Sequence, residues 1–181
     1  MWNSQVIIML LEGIRDTLYM TLASTLFGYI IGLPMGIVLT VTDKDGIRPN
    51  AAVYKVLDVI SNLLRSIPFI ILLIVLIPFT RFVVGRSYGS TATIVPLTIA
   101  AAPYIARMVE SSLKEVDAGV IEAARSMGAS DFQIVTKVML VEARTSLIVG
   151  ATISLGTILG YSAMAGTVGG GGLGDIAIRY G

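Results

Sequence analysis

The chain has 181 residues, of which 55% are hydrophobic and 14% are charged, and its mean hydropathy is +0.84. Soluble proteins carry about 25% charged residues, so a water-soluble core is excluded and a membrane protein is predicted. The net charge of +1 comes without a basic block, which excludes a nucleic-acid surface; the chain has no cysteine or histidine, which excludes disulfides, a thiol nucleophile and a soft metal site.

Charge-poor intervals predict four membrane spans. The first is Thr17 to Thr42, an uncharged stretch long enough to cross a hydrocarbon core of about 30 Å at about 1.5 Å per residue. The others are predicted at 56–80, 87–106 and 145–165. The N-terminal residues lack the positive region and cleavage site of a signal peptide, so we expect Val6 to Leu11 to stay in the mature chain.

Arg65 is the one clear charge well inside a predicted span. A charge near the bilayer centre costs about 3 kcal/mol on insertion scales, so its side chain is expected to face protein, water or an interface. We interpret Arg65 as a structural charge in preference to a substrate contact. Prolines within or at the edges of the spans are expected to kink several of them: Pro34, Pro68, Pro78, Pro96 and Pro103.

The placement of lysine and arginine predicts the orientation. If the loops after the first and third spans face the cytoplasm, that side carries most of these residues, as the positive-inside rule requires. They are Lys44, Arg48, Lys55, Arg107, Lys114, Arg125, Lys137 and Arg144, against Arg15, Arg81, Arg86 and Arg179 on the other side. The N-terminus is then outside and the third loop is cytoplasmic.

The third loop carries signals for a helix, a glycine turn and a second helix. Asp117 can cap a helix over 118–127, and Gly128 can end it in the left-handed conformation. Ser130 with Gln133 forms a capping box for the next helix, which leads into the fourth span.

One face of this predicted loop helix is apolar although the helix lies outside the membrane. The stripe consists of Val120, Ile121, Ala124 and Met127. A plain surface loop would explain the capping but not the stripe, which needs burial against something. A docking surface for a soluble partner is therefore predicted, with Glu122 and Arg125 paired at i, i+3.

This loop resembles the EAA loop of bacterial ABC importer permeases. The matching residues are Glu122-Ala123-Ala124, Gly128 and the later Val138-Met139-Leu140, whereas Val141 replaces the proline that the family usually has. The resemblance implies that the loop couples a pore to an ATPase on another chain. The implied coupling residues are Val120, Ile121, Glu122, Ala123, Ala124, Met127 and Gly128.

Further motifs resemble the permease subunit of methionine-type ABC importers: 65–69, 95–98, 102–110, 160–166 and 169–174. The resemblance implies a bacterial inner-membrane, all-helical bundle that imports methionine. It also implies a homodimer, two ATP-binding ATPase subunits and a substrate-binding lipoprotein. We expect one transmembrane permease domain over 1–181 with a coupling loop at about 110–138. The family usually has five membrane helices; four spans are visible, so either a truncated chain or a shortened permease is expected.

Tyr161, Ser162 and Met164 lie near the outer end of the fourth span, where a homodimer would bring two copies around one pathway. Met164 is flexible enough to close against its symmetry mate, which makes these three residues candidates for a pathway or gate. The alternative is ordinary packing, in which small residues let helices approach closely. The glycines concerned are Gly150, Gly156, Gly160 and Gly166.

Enzymatic chemistry is disfavoured. The chain has no phosphate-binding loop of the G-x-x-x-x-G-K-[ST] type and no nucleophile paired with a base, so ATP is expected to bind to another chain. The glycine run from Gly169 is interpreted as a flexible turn. Apart from Asp58 near an end, no acid lies inside a span, which disfavours an ion-coupled carrier. A permease for another small solute, a passive channel and a membrane scaffold stay as alternatives.

Overall fold

The computed structural model describes residues 4–181, and these residues form helices joined by short turns. The α-helices are α1 (Ser4–Thr42), α2 (Ala51–Ser66), α3 (Phe69–Val75), α4 (Ile77–Val84), α5 (Ser90–Lys114), α6 (Ala118–Ser126), α7 (Asp131–Gln133), α8 (Leu140–Glu142), α9 (Arg144–Ala165) and α10 (Gly172–Tyr180). A π-helical segment, Ile134–Met139, lies between α7 and α8, and a 3-10 turn, Gly166–Val168, comes directly after α9.

Three of the four predicted spans are single helices long and apolar enough to cross a membrane: α1, α5, and α9 with its 3-10 turn. The second is not one straight helix. It is a pair, α2 and α3, bent by 102°. Pro68 explains the break, because proline lacks an N–H and disfavours helical geometry in the residue before it. The predicted kink at Pro68 is therefore confirmed.

The other prolines leave their helices continuous or begin one. Pro34 lies inside α1, and Pro96 and Pro103 lie inside α5. Pro78 is in the first turn of α4, a position where the missing N–H costs no helical hydrogen bond. Of the five, only Pro68 separates two helices.

The helices divide into two compact units. The first comprises the residues up to Gly28 together with 66–101 and 155–181. Its hydrophobic core is built from α1, α3, α5 and α9. The buried members are Met20, Phe69, Leu73, Leu97 and Ala165.

Helix α10 belongs to this first unit. The interpretation of the glycine run as a flexible turn is wrong, because its residues from Gly172 onward are part of this helix. The Leu173 N–H donates to Oγ1 of Thr17 at 2.9 Å, which fixes the start of α10 against α1. Gly166 is essential to the turn, since a Cβ there would collide with the backbone of Gly174. Gly170, Gly172 and Gly174 of the run likewise lie where a Cβ would be closer than 3.0 Å to neighbouring atoms, so these glycines permit close packing.

The second unit comprises Tyr29–Arg65 and Ala102–Ser154. Here α1 and α5 pack backbone to backbone at two glycines one helical turn apart. A Cβ on Gly32 would lie 2.6 Å from the Ala102 carbonyl oxygen, and one on Gly36 would lie 2.5 Å from that of Ala106. Only glycine permits this separation of the two helices.

We expect Gly36→Ala to destabilise the chain by about 1 to 3 kcal/mol, because the added methyl group overpacks the contact between α1 and α5. Thermal unfolding in detergent micelles measures the effect. Gly156→Ala is the matched control, since a Cβ there would lie more than 4 Å from every described atom other than those of its chain neighbours and the nearby backbone of its own helix. It should leave stability unchanged or raise it by up to about 1 kcal/mol. Equal melting temperatures for the two variants would contradict the close contact.

Candidate functional site

Helix α6 is a short helix with both ends capped. Asp117 adopts an extended conformation and its carboxylate accepts a hydrogen bond from the Gly119 N–H at 2.7 Å, as the sequence predicts. The helix ends one residue before the predicted limit, because Met127 serves as its C-cap. The position of α6 along the chain is therefore fixed by local hydrogen bonds.

Gly128 turns the chain sharply after α6. It has φ +84°, a conformation that side-chain-bearing residues rarely adopt. The Gly128 N–H donates to the Arg125 carbonyl, and the Ala129 N–H donates to that of Ala124. These two bonds form a Schellman motif. The predicted left-handed glycine stop is confirmed.

The segment after the turn begins with the predicted capping box. Ser130 and Gln133 exchange hydrogen bonds, the Ser130 N–H donating to Oε1 of Gln133 at 2.9 Å. The sequence predicts that this helix leads directly into the fourth span. The structure differs, since the chain passes through the π-helical segment Ile134–Met139 before α8 and α9. Ile134 is fully buried, and α6 packs against this segment.

The predicted apolar stripe of α6 is only partly buried within this chain. Ala124 is buried and Ile121 is half-buried. Val120 is 42% exposed and Met127 82% exposed. Phe132, which the sequence reasoning did not single out, is also exposed nearby in sequence. The loop thus presents apolar side chains that its own fold leaves uncovered.

The predicted ion pair between Glu122 and Arg125 does not form within the described residues. Arg125 instead donates to the Ile47 carbonyl at 2.8 Å and approaches Asp131 at 3.5 Å. Its side chain therefore ties α6 to the turn that joins α1 to α2, residues 43–50. A helix-face pattern could not anticipate a partner that lies 78 positions away in the chain.

A cluster of five charged side chains and one tyrosine connects the end of α1, α2 and α5. We call it the charge clamp; its members are Asp43, Tyr54, Asp58, Arg107, Glu110 and Lys114. The Glu110 carboxylate is only 6% exposed. It accepts from Arg107 at 2.7 Å, from Lys114 at 2.8 Å and from the Tyr54 hydroxyl at 3.2 Å.

Each base of the clamp also binds a second acid. Arg107 pairs with Asp58 on α2, and Lys114 pairs with Asp43 at 2.5 Å. The hydrogen bond from Lys114 is the main cause of the lowered pKa of Asp43. A lowered acid pKa stabilises the fold above the ordinary value of about 4, and that stabilisation is lost as the pH falls through the lowered pKa.

A groove of about 530 Å³ lies beside α6. It is bordered by residues of the 43–50 turn, by the end of α5, and by one face of α6 that includes Ile121, Glu122 and Arg125. Asp43 and Lys114 of the charge clamp line its wall. Helix α6 and the clamp are therefore neighbours across a single groove.

The three candidate gate residues have different surroundings. Tyr161 stacks on Phe69, with ring centroids 4.7 Å apart and an interplanar angle of 6°. Ser162 is buried, and its hydroxyl donates to the Leu159 carbonyl at 2.7 Å. Met164 is 47% exposed. Only Met164 leaves a large part of its side chain free to meet another surface.

The four glycines proposed for close helix packing also differ. Only Gly166 makes a contact that excludes a side chain. A Cβ on Gly150 would make an ordinary contact with Met108. A Cβ on Gly156 or Gly160 would contact no described atom other than those of its chain neighbours and the nearby backbone of its own helix.

Arg65 is exposed and lies in the last turn of α2, just before the break at Pro68. Its positive charge is favourable there, because the C-terminal end of a helix carries a partial negative charge. The guanidinium forms no ion pair with any residue from 4 to 181 that the structure describes.

Comparison with known proteins places this arrangement in a family. Residues 13–180 match the family of binding-protein-dependent transport system inner membrane components. The chain belongs to this family. The membership covers nearly every described helix, so the predicted likeness to importer permeases and the predicted all-helical membrane fold are confirmed.

Individual relatives are closely similar to this permease. It is 49% identical over 173 residues to a probable D-methionine transport system permease protein of Vibrio cholerae, covering 96% of this chain and 77% of the relative. It is 55% identical over 158 residues to the D-methionine transport system permease protein of Escherichia coli K12, covering 87% and 73%. The family membership supports a transport subunit in preference to an enzyme.

Solved structures agree with the fold. An inward-facing conformation of the MetNI methionine ABC transporter contains a chain that superposes with a TM-score of 0.98 at 53% identity, covering 99% of this chain and 83% of that one. An amino acid ABC transporter superposes with a TM-score of 0.77 at 22% identity, which is evidence for the fold alone.

We expect Tyr161→Ala to destabilise the permease by about 3 kcal/mol or more, because it removes a large ring together with its stack on Phe69. Tyr161→Phe keeps the ring and should melt close to the unaltered protein. Met164→Ala, at a half-exposed position, should lower the melting temperature far less than Tyr161→Ala. A melting temperature unaffected by Tyr161→Ala in detergent would contradict the packing role of the ring.

Proposed function

We propose that this chain is the membrane-spanning subunit of an ATP-driven importer for methionine. The observation that carries the proposal is the capped, apolar corner formed by α6 and Gly128, in a permease about half identical to D-methionine transport permeases. Residues 1–181 act as one permease domain, and the segment at about 110–138 is its coupling loop.

The permease works as a homodimer with two ATP-binding cassette subunits. Helix α6 docks into a groove on the ATPase, and the exposed side chains of Val120 and Met127 support this role because they are otherwise uncovered. A partner that buries them gains about 25 cal/mol per Å² of apolar area. The docking corner consists of Val120, Ile121, Glu122, Ala123, Ala124, Met127 and Gly128.

Docking converts nucleotide binding into motion of the membrane helices. The Schellman motif and the capping box make the corner stiff on both sides of Gly128. A displacement of α6 by the ATPase therefore passes into the π-helical segment and α9 with little local bending. Alternating exposure of the pathway to the two sides of the membrane results from that motion.

The pathway lies between the two copies of the permease, and an extracytoplasmic lipoprotein delivers the substrate. Among the gate candidates, the proposal rests chiefly on Met164, whose thioether is exposed. Tyr161 and Ser162 then position the end of α9 through the ring stack and the hydroxyl hydrogen bond. Arg65 remains a structural charge at the end of α2.

The proposed location is the bacterial inner membrane. The N-terminus lies outside, and α6 lies in the cytoplasm, where ATP is available to the partner subunits. The excess of lysine and arginine in the loops after α1 and α5 supports this orientation.

Labelled methionine uptake tests the function. The permease is reconstituted in vesicles with its ATPase and binding protein, and uptake is expected only with ATP. Gly128→Val should lower uptake strongly while membrane insertion survives, because a valine there is strained by about 1 to 2 kcal/mol and misdirects the next segment. Gly128→Asn is the control, since asparagine adopts the left-handed conformation more readily.

The possible results separate the competing functions. Uptake that needs no ATP indicates a channel or an ion-coupled carrier, and no flux of any solute indicates a scaffold. ATP-dependent uptake of another amino acid in place of methionine would overturn the substrate assignment only. Wild-type uptake by Gly128→Val would remove the corner from the coupling route.

The docking face is tested by Val120→Asp combined with Met127→Asp. Both side chains are exposed, so the double variant should fold, yet it places two unpaired charges in the proposed interface at a cost of several kcal/mol. We expect the ATPase subunit to be lost in co-purification. Met127→Leu, which keeps an apolar side chain, should retain it. Recovery of the intact complex with the double variant would contradict docking through this face.

A further inference from the structure

Helix α6 is attached to the 43–50 turn by more than the chain itself. Arg125 of α6 donates to the Ile47 carbonyl at 2.8 Å. Lys114, three residues before the N-cap of α6, pairs with Asp43 at the start of the same turn. Two contacts, one on each side of the Asp117 cap, therefore connect the coupling loop to α1 and α2.

The charge clamp extends this connection along α5 and on to α2. Glu110 lies between Arg107 and Lys114 on one face of α5, because residues three and four positions apart share a face. Through Arg107 the clamp reaches Asp58 on α2. The helices it joins are distant from α5 in the sequence, since the hydrogen bond from Tyr54 to Glu110 spans 56 positions.

Stability alone is a weak explanation for such a cluster. Buried ion pairs often contribute little net stability, because the desolvation of the charges offsets their attraction, and apolar residues of similar size can replace them. What the charges supply is geometry: Glu110 accepts three hydrogen bonds from two helices, which fixes the register of α5 against α2. Lys114 also connects α5 to the end of α1, because it pairs with Asp43.

We propose that Glu110 and Asp43 are positioning residues for transport. They make α6, the end of α5 and the 43–50 turn move as one rigid body. The displacement of α6 then reaches α1 and α2 directly through the charge clamp, in addition to the route along the chain through the π-helical segment. This inference rests on the proposed function, in which the ATPase moves α6.

The first experiment measures methionine molecules imported per ATP hydrolysed. Glu110→Gln keeps the shape and the acceptor for Tyr54 but removes the charge that Arg107 and Lys114 share. We expect the ratio to fall about five-fold or more while the ATPase stays bound. A residue with only a structural role would lower the amount of assembled complex and its melting temperature without changing the ratio.

Asp43→Asn provides a second variant at the rim of the clamp, in case Glu110→Gln does not fold. Its matched control is Asp45→Asn on the same turn, where the carboxylate is 82% exposed and, among residues 4–181, forms an ion pair only with exposed Lys44 at 3.7 Å. Asp43→Asn should lower the ratio and Asp45→Asn should not. Asp43→Glu, which restores the charge, should recover part of it.

The second experiment measures a distance and needs no solute. The chain has no cysteine, so Lys44→Cys and Ser126→Cys give two spin labels per copy, one on the 43–50 turn and one at the end of α6. Because the permease is proposed to be a homodimer, one doubly labelled copy is combined with one unlabelled copy, so that only the distance within a single copy is measured. In the complex with a cysteine-free ATPase, their separation should be the same without nucleotide and with ATP. Adding Glu110→Gln should broaden the distance distribution or shift it between the two states.

The two experiments distinguish failure of the inference from failure of the function. A complex that imports no amino acid with ATP would refute the proposed function, and the spin-label distance would still test the charge clamp. A separation that changes with nucleotide in the otherwise unaltered chain would overturn the clamp, as would an unchanged import ratio in folded Asp43→Asn and Glu110→Gln.

Discussion

The backbone contact between α1 and α5 at Gly32 and Gly36 is the constraint on which the second unit depends. Lipid tails are as apolar as leucine side chains, so the hydrophobic effect cannot hold membrane helices together, and close packing at small residues replaces it. The contact leaves no room for a methyl group. It also sets how near the ends of α1 and α5 lie, and therefore whether Asp43 can reach Lys114 across them.

The charged side chains fix the register between helices that the glycine contacts bring close together. Small residues define a distance between two helices but only weakly define their register. Glu110 has hydrogen-bond partners on both α2 and α5, and each lies within 3.2 Å. Both the separation and the register of the helices are therefore fixed at the end of the second unit where α6 is attached.

Local signals explain which features could be predicted. The Asp117 cap, the Gly128 stop and the Ser130 capping box depend on residues within five positions of one another, and each results from side-chain chemistry that the sequence displays. The spans are evident as long apolar stretches without charges. The broken second span was predicted in part, because Pro68 indicates a kink but not its angle of 102°.

Features that depend on distant partners could not be predicted in the same way. Arg125 pairs with a carbonyl of the 43–50 turn in place of Glu122, and Tyr161 packs on Phe69, from a helix far away in the sequence. Helix α10 was missed because glycine-rich sequence is a poor helix signal, and only its contact with Thr17 shows why it forms. Arg107 and Glu110 near the end of α5 were a signal in the sequence for the charge clamp, since charged residues are rare in helices that cross a membrane.

The π-helical segment Ile134–Met139 has a consequence for helical phase. Each residue of an α-helix turns the chain by about 100°, and a π segment holds one more residue per hydrogen-bonded turn, so it rotates everything after it relative to a continuous helix. The capping box fixes the phase at Ser130, whereas packing fixes the phase of α9. The wide turn absorbs the mismatch, so that the faces of α6 and α9 can be set independently although fewer than twenty residues separate them.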